Sequence, residues 1–354
     1  MSAEVPGSLA AEMDADADDG RSPGTFRWPR RARLPTLPAA ASSLKPTLSS
    51  KGWEPFLRSR GGEELIAAAK SNAMMLDGLS FPLSLAWVLR QAAEWPEEGL
   101  RSGEEVNVVV LGATARAEVR LWAESDYWSE LRRALVDLCG LQGSLRLHFV
   151  GPELDESPPG GPPDVHRVVP PCAERFLKQR RELTPRNTVC AVFNGGFGNF
   201  VDSKDDGRAE LLWSWLPDLA LLGERGFLCA FFCANDYADL RGEVAVHSGL
   251  LRSRFVLAPQ RNAFGMATTY TGDASVGTGK KEWFCGNSFM YATCGRDPGG
   301  FDDDFKDPKA RSAALVVARA HARAFAEGKG CEVGSAEPPR LVPAAAAAHP
   351  RGGG

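Results

Sequence analysis

The residues of this chain best placed to meet a ligand lie in two glycine-bearing turns. Gly112-Ala113-Thr114-Ala115-Arg116-Ala117 follows the apolar run Val106 to Leu111, and Asn194-Gly195-Gly196-Phe197-Gly198-Asn199 follows Val189 to Phe193. Glycine lets backbone come close to a phosphate or an adenosyl group, and a turn that opens onto a helix adds free N–H donors. A dinucleotide fingerprint needs a second glycine where backbone approaches pyrophosphate, and Thr114 stands there instead, which argues against NAD. An S-adenosylmethionine methyltransferase is a looser match. It would use Gly112, Ala113 and Glu118 at the first turn, and Glu153 after the second strand to hold a ribose. Asn194, Gly195, Gly196, Gly198 and Asn199 would complete the cleft. The competing reading of the same glycines is close packing of one stretch of backbone on another.

No other constellation completes a reaction centre. Gly272 to Lys281 fails as a phosphate loop, because Ala274 replaces the first glycine, Lys281 replaces the hydroxyl residue, and no strand precedes it. Cys229 and Cys233 sit four apart in a predicted strand, so both thiols face one way as small hydrophobes. A zinc site would need two further ligands at matching spacing, and the five histidines lie far apart in sequence. No G-x-S-x-G elbow is present, and Asp302-Asp303-Asp304 reads as a charged loop before a helix. The expectation is therefore no catalytic residue, no metal and no cofactor.

The elements that must position the two turns are strands buried on both faces. Val106 to Leu111, Leu145 to Val150 and Val189 to Phe193 are apolar runs ending in glycine or Asn-Gly-Gly, the pattern of an open parallel sheet whose strand carboxyl ends carry the ligand or partner surface. Further strands are predicted near Val165 to Val169, at Leu228 to Cys233 and at Arg254 to Leu257, with a late, antiparallel strand at Asn287 to Thr293. Helices are predicted from Gly62, over Phe81 to Ala93, and from Asp126 to Leu138 behind Ser125 and before Gly140. Others follow at Ala173 to Arg181, at Arg208 to Leu222 with a bend or a restart at Pro217, and at Asp236 to Leu250. The last runs from the Asp307-Pro308 start to about Glu327. The fold class is α/β, a Rossmann-like three-layer sandwich with a mostly parallel central sheet and flanking helices.

Composition sets the limits of the domain. Residues 1–51 are rich in Pro, Ala and Ser without periodicity, and 331–354 hold Pro338-Pro339, five consecutive alanines and a glycine end, so both are read as disordered tails around one domain at 52–330. The basic run Arg27-Trp28-Pro29-Arg30-Arg31-Ala32-Arg33 reads as a solvated linker, with a nuclear or nucleic-acid signal as the alternative, and residues 271–281 read as a flexible insertion. A net charge of −4 gives no general reason to expect nucleic acid. No apolar stretch is long enough to predict a membrane span. Eight scattered cysteines predict a reducing, intracellular setting, in the cytoplasm, the nucleus or an organelle.

Several segments in order resemble the C-terminal domain of the mitochondrial splicing suppressor family, which includes yeast translational activators and animal proteins with a MYND zinc finger. They are Trp53-Glu54-Pro55-Phe56-Leu57 with Arg60, Leu79-Ser80-Phe81-Pro82-Leu83-Ser84-Leu85, Leu111-Gly112-Ala113 with Glu118, and Phe149-Val150-Gly151-Pro152-Glu153. Phe193-Asn194-Gly195-Gly196-Phe197-Gly198, Trp213 with Pro217, Asn235-Asp236 and Asn287-Ser288-Phe289 continue the series. The resemblance implies a Rossmann-like domain that works through protein interaction. The chain departs from it in lacking a MYND array and any Cys-Pro motif, so messenger-specific translational activation does not carry over. The leading expectation is a non-enzymatic interaction or regulatory domain with a protein partner. The alternative is a methyltransferase or other small-molecule enzyme on the same fold.

Overall fold

The computed structural model describes residues 33–37, 48–49, 51–91, 105–155, 164–201, 209–234, 239–268, 270–272, 282–297 and 307–327. Its centre is a seven-stranded sheet in the order β3-β2-β1-β4-β5-β9-β6. The strands are β1 (Val106–Leu111), β2 (Leu145–Gly151), β3 (Asp164–Arg167), β4 (Thr188–Phe193), β5 (Leu228–Cys233), β6 (Ser253–Arg261) and β9 (Phe289–Arg296). β1 to β5 pair in parallel, whereas β9 lies antiparallel between β5 and β6. A separate two-stranded pair joins β7 (Tyr270–Gly272) to β8 (Glu282–Phe284). The α/β class and the mostly parallel sheet are as expected, and the late strand is antiparallel.

Eight helices accompany the sheet among the described residues: α1 (Trp53–Ser71), α2 (Ala73–Gln91), α3 (Glu118–Glu124), α4 (Trp128–Cys139), α5 (Cys172–Gln179), α6 (Glu210–Glu224), α7 (Arg241–Ala245) and α8 (Pro308–Glu327). α7 runs on into one π-helical turn, Val246–Leu251. The helix starts and stops follow local chemistry. Gly140 closes α4 in the left-handed conformation at φ 75°, and Asp307 accepts the Lys309 N–H at 3.1 Å to open α8. Pro217 lies inside one continuous α6. α1 begins nine residues ahead of the predicted start at Gly62, which instead marks a kink with φ 65°.

Strand periodicity divides the core in two. Val106, Val108 and Val110 join the cluster that contains α2 and α4, while Val109 and Leu111 join the one that contains α5 and α6. α2 is apolar almost all round, as a helix sunk in the core must be, and its polar Asp77, Ser80 and Ser84 recur on one face at i, i+3 and i+7. The ion pair of Arg60 with Glu130 at 2.9 Å, both buried, ties α1 to α4.

The front boundary of the domain lies earlier than residue 52. Leu34, Leu37 and Leu48 are buried in the first cluster, the Tyr127 hydroxyl donates to the Pro35 carbonyl, and Arg90 donates to the Leu48 carbonyl. These leucines are three of the few large apolar residues in the segment, too sparse to show periodicity, and tertiary burial fixes them. The predicted basic linker up to residue 32, the insertion at 273–281, the acidic triplet at 302–304 and the tail from 331 lie outside the described residues. No single helix among the described residues is long and apolar enough to cross a membrane.

Candidate functional site

The first turn is closed by the protein's own groups. Gly112 has φ 71°, and a Cβ placed on it would lie 2.8 Å from Cζ2 of Trp215 on α6. The Trp215 ring in turn lies 6.0 Å, centroid to centroid, from that of Phe197 in the second turn. Ala113 is buried and its N–H donates to the Val150 carbonyl at 3.1 Å, and a Cβ on Gly151 would fall 2.2 Å from the Ala113 carbonyl oxygen. Glycine is needed here because two strand ends touch, backbone to backbone.

Glu118 does not reach outward either. Its Oε2 accepts the Thr114 N–H at 2.9 Å and the Thr114 hydroxyl at 3.2 Å, while Thr114 Oγ1 accepts the Ala117 N–H. Burial pushes this carboxyl up to about 7. Thr114, the residue out of place for a pyrophosphate turn, thus has a structural role in bracing its own turn. Glu153 is exposed, on the surface beyond β2.

The second turn divides in the same way. Gly198 packs against α7 so closely that a Cβ would lie 2.2 Å from the Asp239 carbonyl oxygen and 2.6 Å from the Glu243 nitrogen. A Cβ on Gly242 would meet the Gly198 carbonyl at 1.9 Å. Gly196 takes φ 66°, with Asn199 and Leu211 beside it, and Gly195 faces Val192 and Phe197. Asn199 is exposed, and its N–H closes the turn on Gly196. Asn194, at φ 50°, exchanges hydrogen bonds with Asn287: its Oδ1 accepts the Asn287 N–H and its Nδ2 donates to Asn287 Oδ1, both at 3.0 Å. Asn287 donates on to Ser80, while Asn262 donates to Ser84 and to the Asn287 carbonyl. Asp77 accepts the Ala267 and Thr268 N–H groups and the Thr268 hydroxyl. The polar face of α2 therefore anchors the loops at 262–268 and 287.

Two clusters have no counterpart in the sequence reading. In the first, Glu243 Oε2 accepts the Cys233 thiol at 2.9 Å and the Tyr291 hydroxyl at 2.8 Å, with all three groups buried. Glu243 Oε1 is buried without a hydrogen-bond partner, and burial pushes the carboxyl up to about 8, so it holds a proton at neutral pH. His247, among Phe197, Phe231 and Tyr291, is pushed down to about 3 by burial and stays neutral. This acid, thiol, phenol and imidazole share a buried interior, each less than 2% exposed.

The second cluster lies at the other edge of the sheet. His148 on β2 pairs with Asp164 on β3, and His166 lies two residues further along β3, so all three project from one face. One ligand atom from each lies within 4.8 Å of the other two. The imidazole rings of His148 and His166 are stacked at 6.1 Å, over Phe176 of α5. His148 Nε2 is 2.9 Å from Asn107 Oδ1, and Nδ1 is 3.2 Å from Asp164 Oδ2, out of hydrogen-bond geometry. Arg146 Nε donates to Asp164 Oδ2 at 2.8 Å. Histidines isolated in sequence are thus brought together by the register of two parallel strands. The signal available was the H-x(15)-D-x-H spacing across two short strands, which becomes meaningful only once the strands are known to be neighbours.

Of the residues expected to form a cleft, the fold brings Gly112, Ala113, Glu118, Asn194, Gly195, Gly196 and Gly198 to the carboxyl ends of the parallel strands and occupies them internally. Glu153 and Asn199 stand apart at the surface. Comparison of the chain with protein-family models, with curated proteins and with solved structures finds no match.

Proposed function

We propose that this chain is a non-enzymatic interaction or regulatory domain built on a Rossmann-like three-layer scaffold, with another protein as its partner. The observation that carries the reading is the contact of the Trp215 ring with Gly112 and Phe197. In open α/β sheets ligands enter where the strand order reverses, here between β1 and β4, and an indole from α6 stands there. The polar groups around it bond within the chain, Glu118 to Thr114 and Asn194 to Asn287, rather than pointing into a shared space. The protein partner is what the segments resembling the mitochondrial splicing suppressor C-terminal domain imply. A tagged full-length chain should co-purify a protein that rebinds the isolated chain in a defined ratio by sedimentation. Transfer of a methyl group from S-adenosylmethionine to any co-purified component would overturn the reading.

A second reading has one specific observation in its favour. The order β3-β2-β1-β4-β5 is the doubly wound one in which nucleotide-containing ligands bind at the switch point, and an S-adenosylmethionine methyltransferase would need such a scaffold. Fold does not carry function by itself, and Trp215 and Thr114 occupy the positions that a methyl donor would need.

A further inference from the structure

We propose that His148, Asp164 and His166 form a binding site for a divalent transition-metal ion, zinc by ligand preference, at the β2–β3 edge of the sheet. The argument begins with the tautomer of His148. Its Nε2 lies 2.9 Å from Asn107 Oδ1, an atom that only accepts, and Asn107 Nδ2 faces the Asn187 carbonyl, which fixes the amide that way round. Nε2 therefore carries the proton, and in the neutral ring Nδ1 presents a lone pair. That lone pair has no hydrogen-bond partner, belongs to a side chain only 2% exposed, and sits 3.2 Å from a carboxylate oxygen. A lone pair and a carboxylate at that distance, off the line of a hydrogen bond, form an arrangement that a cation between them would stabilise.

The surroundings fit such an ion. Metal-binding imidazoles characteristically donate their second N–H to a carbonyl, which fixes ring and tautomer, and Asn107 does this for His148. Arg146 Nε donates to Asp164 Oδ2 at 2.8 Å and so orients the carboxylate, with its own charge shared by Glu105 at 3.8 Å. His166 completes a set of two imidazoles and one carboxylate, with ligand atoms mutually within 4.8 Å; a tetrahedral ion bonded at about 2.0–2.2 Å holds its ligands about 3.3–3.6 Å apart, a spacing that His148 Nδ1 and Asp164 Oδ2 already approach at 3.2 Å and that His166 reaches by closing on the ion. Three protein ligands leave a fourth position for water or an incoming group. β3 ends the sheet and His166 is partly exposed, which gives the ion a way in.

The test is cobalt and zinc binding to the untagged full-length chain. Zinc should be retained at about one ion per chain after dialysis, by elemental analysis. Cobalt should give the visible bands of a low-coordinate site without the near-ultraviolet band of a thiolate ligand. In His166→Ala, a change at the partly exposed edge, metal retention should fall at least tenfold while circular dichroism stays native. If that variant fails to fold, the wild-type cobalt spectrum still decides. No retained metal, or a thiolate band pointing to the cysteines, would overturn the proposal.

Discussion

Asn194 and Asn287, 93 residues apart, hold each other through two hydrogen bonds of 3.0 Å while both backbones sit in the left-handed region, at φ 50° and 52°. Asparagine tolerates that conformation better than other residues with a Cβ, and its amide supplies both a donor and an acceptor. The pair joins the end of β4 to the start of β9, the antiparallel strand that lies beside β5.

Replacing Asn287 with Ala should therefore destabilise the fold by about 2–4 kcal/mol, from buried groups left without partners and from the cost of alanine in the left-handed region. Urea denaturation of the two proteins measures it. A loss smaller than about 0.5 kcal/mol would show that the pair is incidental, at the level of an ordinary surface change.

Removal of residues 1–50 should weaken the domain, because Leu34, Leu37 and Leu48 would leave the core. Full burial of a leucine contributes roughly 1.5–3 kcal/mol, so the denaturation midpoint of the shortened chain should fall clearly. An unchanged midpoint would place the boundary of the cooperative unit at residue 51 after all.

Stability should decline as pH rises through the neutral range because of Glu243. Its carboxyl sits at about 8 in the folded chain against an ordinary 4.5, so the folded state binds the proton more tightly. The contribution is complete below about pH 4.5, falls by at most about 1.4 kcal/mol per pH unit above it, and is lost by about pH 8. Glu118, at about 7, adds to the same trend. Glu243→Gln keeps an oxygen for Cys233 and Tyr291 and cannot ionise, so it should flatten the profile between pH 5 and 8. Parallel profiles for the two proteins would contradict this.

What the sequence discloses and what it hides follow from the range of the interactions. β1 and β5 are legible to the residue, because a strand buried on both faces must be apolar along its whole length. Gly140 and Asp307 are legible because a cap is chemistry within one turn of helix. The front edge of the domain is hidden because three leucines spread over fifteen positions carry no period. The fate of the glycine turns is hidden for a different reason. A glycine that admits a phosphate and one that admits Trp215 or the Asp239 carbonyl look alike until the fold places the neighbour. His148 and His166 become a pair only through the β2–β3 register, and Glu243 meets Tyr291 across 48 residues.

The central claim, that the crevice between β1 and β4 is occupied by the chain itself, is tested most directly by the thermal unfolding of the full-length protein with S-adenosylmethionine. A ligand at a hundred times its dissociation constant adds about 2.7 kcal/mol by mass action, a shift of a few degrees in a domain of this size. The account predicts no shift with the wild type, since Trp215 stands against Gly112 and Glu118 is bound to Thr114. A rise in the midpoint that Glu153→Ala abolishes without unfolding the protein would contradict it and establish the methyltransferase reading in its place.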